Sequence, residues 1–149
     1  GASCYGPDEL LNVHRQHPLG ISQLPGNAFD QRLAQALPDG LQGVDIHLRS
    51  AFLQGLLLMP ADEGRTRLPA AEGALKRWHQ WCQARALSPL VGALSVVKSF
   101  AAVSTVVVGV ETTSQFEAIA TAWAQASPSL APDLADHNPA VIDPRTWKP

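Results

Sequence analysis

The chain has 149 residues, 46% of them hydrophobic and 16% charged, with a formal net charge of -2. That length and apolar content suffice for one core-burying domain and exclude a chain disordered by composition. The charge balance, with no cluster of Lys and Arg interleaved with aromatics, argues against a nucleic-acid or anionic-membrane partner.

Cys4 and Cys82 form no CxxC or zinc-ligand spacing and are too few to staple a domain of this size, so a reducing cytoplasm and no metal are expected. The longest apolar runs, 56–59 and 106–110, fall far short of the roughly 20 residues a membrane-spanning helix needs. The chain begins at Gly1 with neither an initiator Met nor a signal-like stretch, so it is expected to start after processing or part-way through a longer protein.

The opening GASCYGPDELLNVH predicts a strand end, a turn at Gly6 and Pro7, and a helix with Asp8 and Glu9 on its first turn, where negative charge is favoured. In LGISQLPGNAFD a strand over 19–24 is stopped by Pro25 and Gly26. QRLAQALPDGLQ then predicts a short helical segment broken at Pro38 and Gly40. A third strand starts at Val44, where Val44, Ile46 and Leu48 alternate with Asp45, His47 and Arg49, a period of two with unlike faces. After a long loop, EGALKRWHQWCQARAL places Leu75, Trp78 and Cys82 on one helical side, and SPLVGALSVVKSF predicts a second helix with Val91, Leu94 and Lys98 in a stripe. The fourth unit, STVVVGVETTSQFEAIATAWAQA, joins a β-branched strand to a helix with Phe116, Ile119, Ala120 and Trp123 on one face. Either Ser114 with Glu117, or Thr112 with Gln115, supplies a capping box.

Residues 1–126 thus predict four strand-then-helix units, and 127–149 a proline-rich tail packed over them, anchored by Val141, Ile142 and Trp147. Such a succession implies a parallel sheet and the α/β class. Four units do not close a TIM-type (β/α)8 barrel, so the chain reads as half of one or as a small open sheet.

Taken in order, GASCYGPDEL, ISQLPGNAFDQRL, GVDIHLRSAFLQGLLL, TVVVGVETTSQF and IDPRTW resemble the carboxyl-terminal half of the aldo-keto reductases, in particular their bacterial branch of oxidoreductases. The resemblance spans nearly the whole chain. It implies the second half of a TIM-type barrel, an NADPH or NADH cofactor laid across the carboxyl ends of the strands, and a small carbonyl substrate in the intact barrel. By the same resemblance Ser3 and Cys4 match a Ser-Asn pair that holds the nicotinamide carboxamide, with Cys4 replacing Asn, and Gln23 matches a Gln serving the same group. Arg49 stands where an aromatic residue stacks on the nicotinamide, Ser50 and Phe52 open the loop that passes the pyrophosphate, and Gly55 matches its glycine. A planar guanidinium can stack on a ring or pair with a phosphate.

In relatives that prefer NADPH, basic and polar residues surround the adenosine 2'-phosphate at positions that match Gly109, Val110, Gln115 and Ile119, none of which carries positive charge. The free N–H groups of the helix amino end at 112–114 remain an anion-binding feature, with Thr112 at its start. The family's catalytic Asp, Tyr, Lys and His come from the other half of the barrel. No catalytic residue is expected in this chain, and the resemblance gives its single tyrosine, Tyr5, no catalytic role.

Structural readings stand beside these. Asp45 and His47 are read as an interior hydrogen-bonded pair, and Arg49, at the carboxyl end of its strand, remains open between ligand contact and structure. His14 and His17 are read as a surface pair at a helix end, Trp78, Trp81 and Trp123 as packing residues, and Cys82 as a small buried apolar residue. The functional expectation is the cofactor-binding half of an NAD(P)H-dependent oxidoreductase whose catalytic half lies outside this chain. The alternative is a non-catalytic half-barrel that acts through assembly or binds a nucleotide without chemistry. Two open strand edges make either a missing amino-terminal half or a homodimer that completes the barrel the expected partner.

Overall fold

A computed structural model describes residues 1–34 and 37–147. Its centre is a four-stranded parallel sheet in sequence order, β1 (Ala2–Ser3), β2 (Ile21–Pro25), β3 (Asp45–Arg49) and β4 (Thr105–Val106). The register sets Ser3 opposite Gln23, Gln23 opposite His47, and His47 opposite Thr105. The class is therefore α/β. Because side chains alternate along a strand, one face carries Ser22, Leu24, Ile46 and Leu48, all buried, and the other carries the polar positions.

Helices cover the buried face. After β1 comes α1 (Pro7–Gln16); between β3 and β4 come α2 (Ala61–Arg67), α3 (Glu72–Ala84) and α4 (Pro89–Lys98); after β4 come α5 (Thr113–Gln125) and the short α6 (Pro139–Ile142). Trp78 of α3 is fully buried, and Cys82, one turn on, is buried with it, as the helical spacing predicts. Gly92 lets α4 approach α3 closely, since a Cβ there would stand 3.0 Å from both the Cys82 sulfur and the Trp78 ring. Ser88 caps α4, its hydroxyl accepting from the Val91 N–H.

Three expectations meet a different local structure. The segment expected to be helical over 31–42 forms turns at its described residues, while 35 and 36 lie outside them. Side chains there satisfy the backbone in place of a helix: the Asn27 Oδ1 accepts from the Phe29 and Asp30 N–H groups, and the Gln31 amide donates to the Ala28 and Ala131 carbonyls. Strand β4 is only two residues long, because the β-branched run leaves the ladder after the Val107 N–H donates to the Leu48 carbonyl. Helix α5 packs on α4 through a narrow strip around Ala122, and the face predicted for packing stays outside, with Phe116 58% and Trp123 40% exposed. Lys98 secures the far end of α5. Its ammonium donates to the Ala126 carbonyl and lies 4.3 Å from the Trp123 ring centre.

The tail is more deeply bound than a surface drape. Ala131, Leu134 and Val141 are buried in the core, Ile142 and Trp147 pack against it, and the Asp136 N–H donates to the Phe29 carbonyl.

Candidate functional site

The face of the sheet opposite the helices presents Ser3, Gln23, His47 and Thr105 side by side, one from each strand. One step toward the strand starts, Asp45 accepts hydrogen bonds from the Ser104 hydroxyl and from His47 Nε2, the latter at 3.2 Å. The bond from Ser104, followed by that from His47, holds the Asp45 carboxyl below the usual carboxylate range. Asp45 and His47 thus pair as expected, but on an exposed face and not in an interior, since the Asp45 side chain is 45% exposed. Ser3 and Gln23 share one row, whereas the Cys4 side chain turns to the opposite face and is buried beside Ser22. Burial raises the Cys4 thiol pKa, against a smaller opposing effect of the Ser22 hydrogen bond. What Cys4 offers the strand ends is backbone, its carbonyl lying 3.4 Å from Arg49 Nη2.

Beyond β3 the chain makes a turn unusual for its residues. Ser50, Leu53 and Gln54 all take left-handed backbone angles, with φ of 62°, 48° and 55°, and Gly55 follows at 81°. Each non-glycine residue in that region costs on the order of 1 kcal/mol, which must be balanced by contacts around it. Leu53, Leu56 and Leu57 supply them by full burial, the indole N–H of Trp78 donates to the Leu57 carbonyl at 2.8 Å, and the Asn27 amide donates to the Ser50 carbonyl at 3.3 Å. Leu56 and Leu57 therefore anchor a strained loop through the 3-10 turn at Leu56–Leu58, while Leu58 itself stays exposed.

That loop forms one wall of a groove of about 630 Å³ whose other wall is the amino end of α5. Phe52, Gly55, Gly109 and Gln115 meet along it, together with Leu58, Glu111 and Ile119. Thr112 caps α5: its hydroxyl accepts from the Gln115 N–H at 3.2 Å, while the Gln115 Oε1 accepts from the Glu111 N–H at 2.8 Å. This is the Thr112–Gln115 member of the two capping pairs read from the sequence, with the return bond one residue earlier than in a standard capping box. Among the described residues lining the groove, Glu111 is the single ionisable side chain.

A second concavity, of about 130 Å³, lies over the carboxyl ends of β2 and β3. Tyr5, Arg32, Arg49, Asp143 and Arg145 line it. The guanidinium carbons of Arg145 and Arg49 stand 3.5 Å and 4.7 Å from the Tyr5 ring centre. Of the site residues expected from the sequence, Arg49 is here, the row holds Ser3 and Gln23, and the groove holds Phe52, Gly55, Gly109 and Gln115. Ser50 sits at the loop's origin and Thr112 at the start of α5. Arg32, Asp143 and Arg145 were not singled out, although the repeated Asp-x-Arg spacing at 30–32 and 143–145 was a visible signal.

Among the described residues no helix is long and apolar enough to cross a membrane, and no group of three or more His, Cys, Asp or Glu side chains could hold a metal. No protein-family model matches the chain, and no curated protein matches it. Among solved structures it is similar to a glycerol dehydrogenase from Gluconobacter oxydans, at 18% identity and a TM-score of 0.47 over 89% of this chain. The chain spans about half of that protein, 51% of its length.

Proposed function

We propose that this chain supplies the nicotinamide-nucleotide-binding half of an aldo-keto reductase-like oxidoreductase, with the catalytic Asp, Tyr, Lys and His contributed by a further segment or chain. The observation that carries the reading is the groove. Phe52, Gly55, Gly109 and Gln115 are assigned to the cofactor by sequence resemblance from two segments more than fifty residues apart, and they line one cleft. The row of Ser3 and Gln23 supports the nicotinamide end, because a hydroxyl beside an amide matches a carboxamide, which presents both an acceptor and donors. The open polar face and the outer edges of β1 and β4 support completion by further strands.

The charge in the groove selects the cofactor. A carboxylate at Glu111 with no cation beside it accepts from ribose hydroxyls and repels a 2'-phosphate, which favours NADH over NADPH. Bound NADH would supply the hydride; the chain's own residues orient the carboxamide, pass the pyrophosphate near Ser50 and cap the groove at Thr112. The substrate is a small carbonyl compound and the setting a reducing cytoplasm.

Titration of the folded chain with each nucleotide, following quenching of its tryptophan emission, tests the proposal. The expected result is saturable NADH binding, with NADPH weaker by about tenfold or more. A folded sample that responds to neither overturns it. One observation favours a second reading, assembly without chemistry: Val107, Phe116 and Trp123, at and beyond the edge strand, are at least 40% exposed. A stable homodimer that ignores both nucleotides is the result that reading requires.

A further inference from the structure

The pocket over the ends of β2 and β3 holds Arg49, which the resemblance sets beside the nicotinamide, together with Arg32 and Arg145, to which it gives no role. Arg32 and Arg145 are each clamped by the aspartate two residues earlier. Asp30 accepts from Arg32 Nε and Nη2 at 2.8 and 2.7 Å, and Asp143 accepts from Arg145 Nε and Nη2 at 2.9 and 2.6 Å. Both clamps engage the same edge of the guanidinium and leave Nη1 outside the bidentate pair. Arg49 differs. Among the described residues it has no carboxylate partner, only the long contact to the Cys4 carbonyl and the face of Tyr5. Glu9, the remaining nearby carboxylate, is exposed and accepts from the Tyr5 N–H.

Three guanidiniums with spare donors thus converge on a space of about 130 Å³. At ~30 Å³ per water this is room for roughly four waters, or for one small oxyanion. Pro25, Pro139, Ile142 and Pro144 complete its wall, and the one carboxylate in that wall, Asp143, is engaged by Arg145. Tyr5 lies two residues past Ser3, and Arg49 two residues past His47, so the pocket sits one strand step beyond the polar row.

We propose that Arg49, helped by Arg145 and Arg32 around Tyr5, forms an oxyanion subsite that takes the carboxylate of a small carbonyl substrate. The substrate class follows from adjacency. A molecule whose carbonyl lies against the Ser3–Gln23–His47 row can be met by the long arginine side chains from one strand step, about 7 Å, further on, which fits a small oxo acid. This placement rests on the nicotinamide reading above, but anion binding is measured without nucleotide, so failure of one is separable from failure of the other.

The experiment titrates the folded chain with sodium pyruvate and, separately, with inorganic phosphate, in chloride of matched ionic strength. Binding is followed by the arginine Nε–H resonances and by calorimetry. Saturable pyruvate binding that perturbs the side-chain signals of Arg49 and Arg145, and that weakens about tenfold or more in a folded Arg49→Gln variant, is the expected result. Arg49→Lys, which keeps the charge and loses the planar fork, should fall between. Phosphate bound more tightly than pyruvate overturns the carboxylate assignment. Pyruvate binding that leaves the arginine signals of the wild-type chain unmoved, or no saturable binding at millimolar anion, overturns the site itself.

Discussion

The Arg49 guanidinium lies 4.7 Å from the centre of the Tyr5 ring, joining the end of β3 to the segment just past β1. An aromatic ring therefore sits beside position 49 even though the residue there is not aromatic. The same ring takes Arg145 at 3.5 Å, so one side chain ties two strand ends to the tail. Cation–π contacts at exposed sites contribute about 0.5–1 kcal/mol each. Tyr5→Ala should lower unfolding stability by roughly 1–2 kcal/mol and Tyr5→Phe by little, as read from urea denaturation midpoints.

Trp78 holds the strained loop from below. It fills the core completely and donates to the Leu57 carbonyl, so Trp78→Ala removes both volume and a buried hydrogen bond. A loss of about 3–5 kcal/mol is expected in denaturant unfolding. Trp78→Phe should lose less and show itself as faster amide exchange in residues 50–58, the segment that loses its indole anchor.

At the groove, Thr112→Ala removes the hydroxyl that accepts from the Gln115 N–H. Stability should fall by about 1 kcal/mol, and Thr112→Ser should restore it. Nucleotide affinity should fall with it, because Gln115 lines the groove from the same cap.

The thiols carry a pH signature. Burial pushes the Cys82 thiol from an ordinary value of 9.0 up to about 11, against a smaller opposing effect of Arg85. A folded-state pKa above the unfolded one means that the native chain holds the proton more tightly. The associated stability is complete below pH 9 and is lost as pH rises from 9 toward 11. Unfolding midpoints measured across that window should decline. Near pH 8 neither Cys82 nor the buried Cys4 should react with a thiol reagent until denaturant is added.

Much of this was legible in sequence where one element decided the outcome. The period-two alternation of β3, the helical spacing of Trp78 and Cys82, and the Thr112–Gln115 cap are local patterns, and each has its local structure. Four features were not legible. The segment 31–42 reads as a short helix, but Gln31 bonds the Ala28 carbonyl and reaches the tail at Ala131. Periodicity marks Phe116 and Trp123 as an apolar stripe without saying whether a neighbour covers it, and α4 meets α5 elsewhere. The resemblance sets Cys4 with Ser3 at the carboxamide, whereas strand alternation turns adjacent side chains to opposite faces. The arginine pocket joins residues 5 and 145, a relation that only the folded tail creates.

The most direct test of nucleotide binding in the groove uses Gly109. Gly109 lines the groove, and a Cβ built there meets nothing within 4 Å, so a side chain can be added at the groove wall without a clash at Cβ. NADH titrations of the wild-type chain and of Gly109→Phe, measured by calorimetry with unfolding midpoints alongside, should give saturable binding in the first. The second should show a loss of about tenfold or more at unchanged stability. Equal NADH affinity in the two proteins would contradict the account, since the nucleotide would then lie elsewhere than between Gly55 and Gln115.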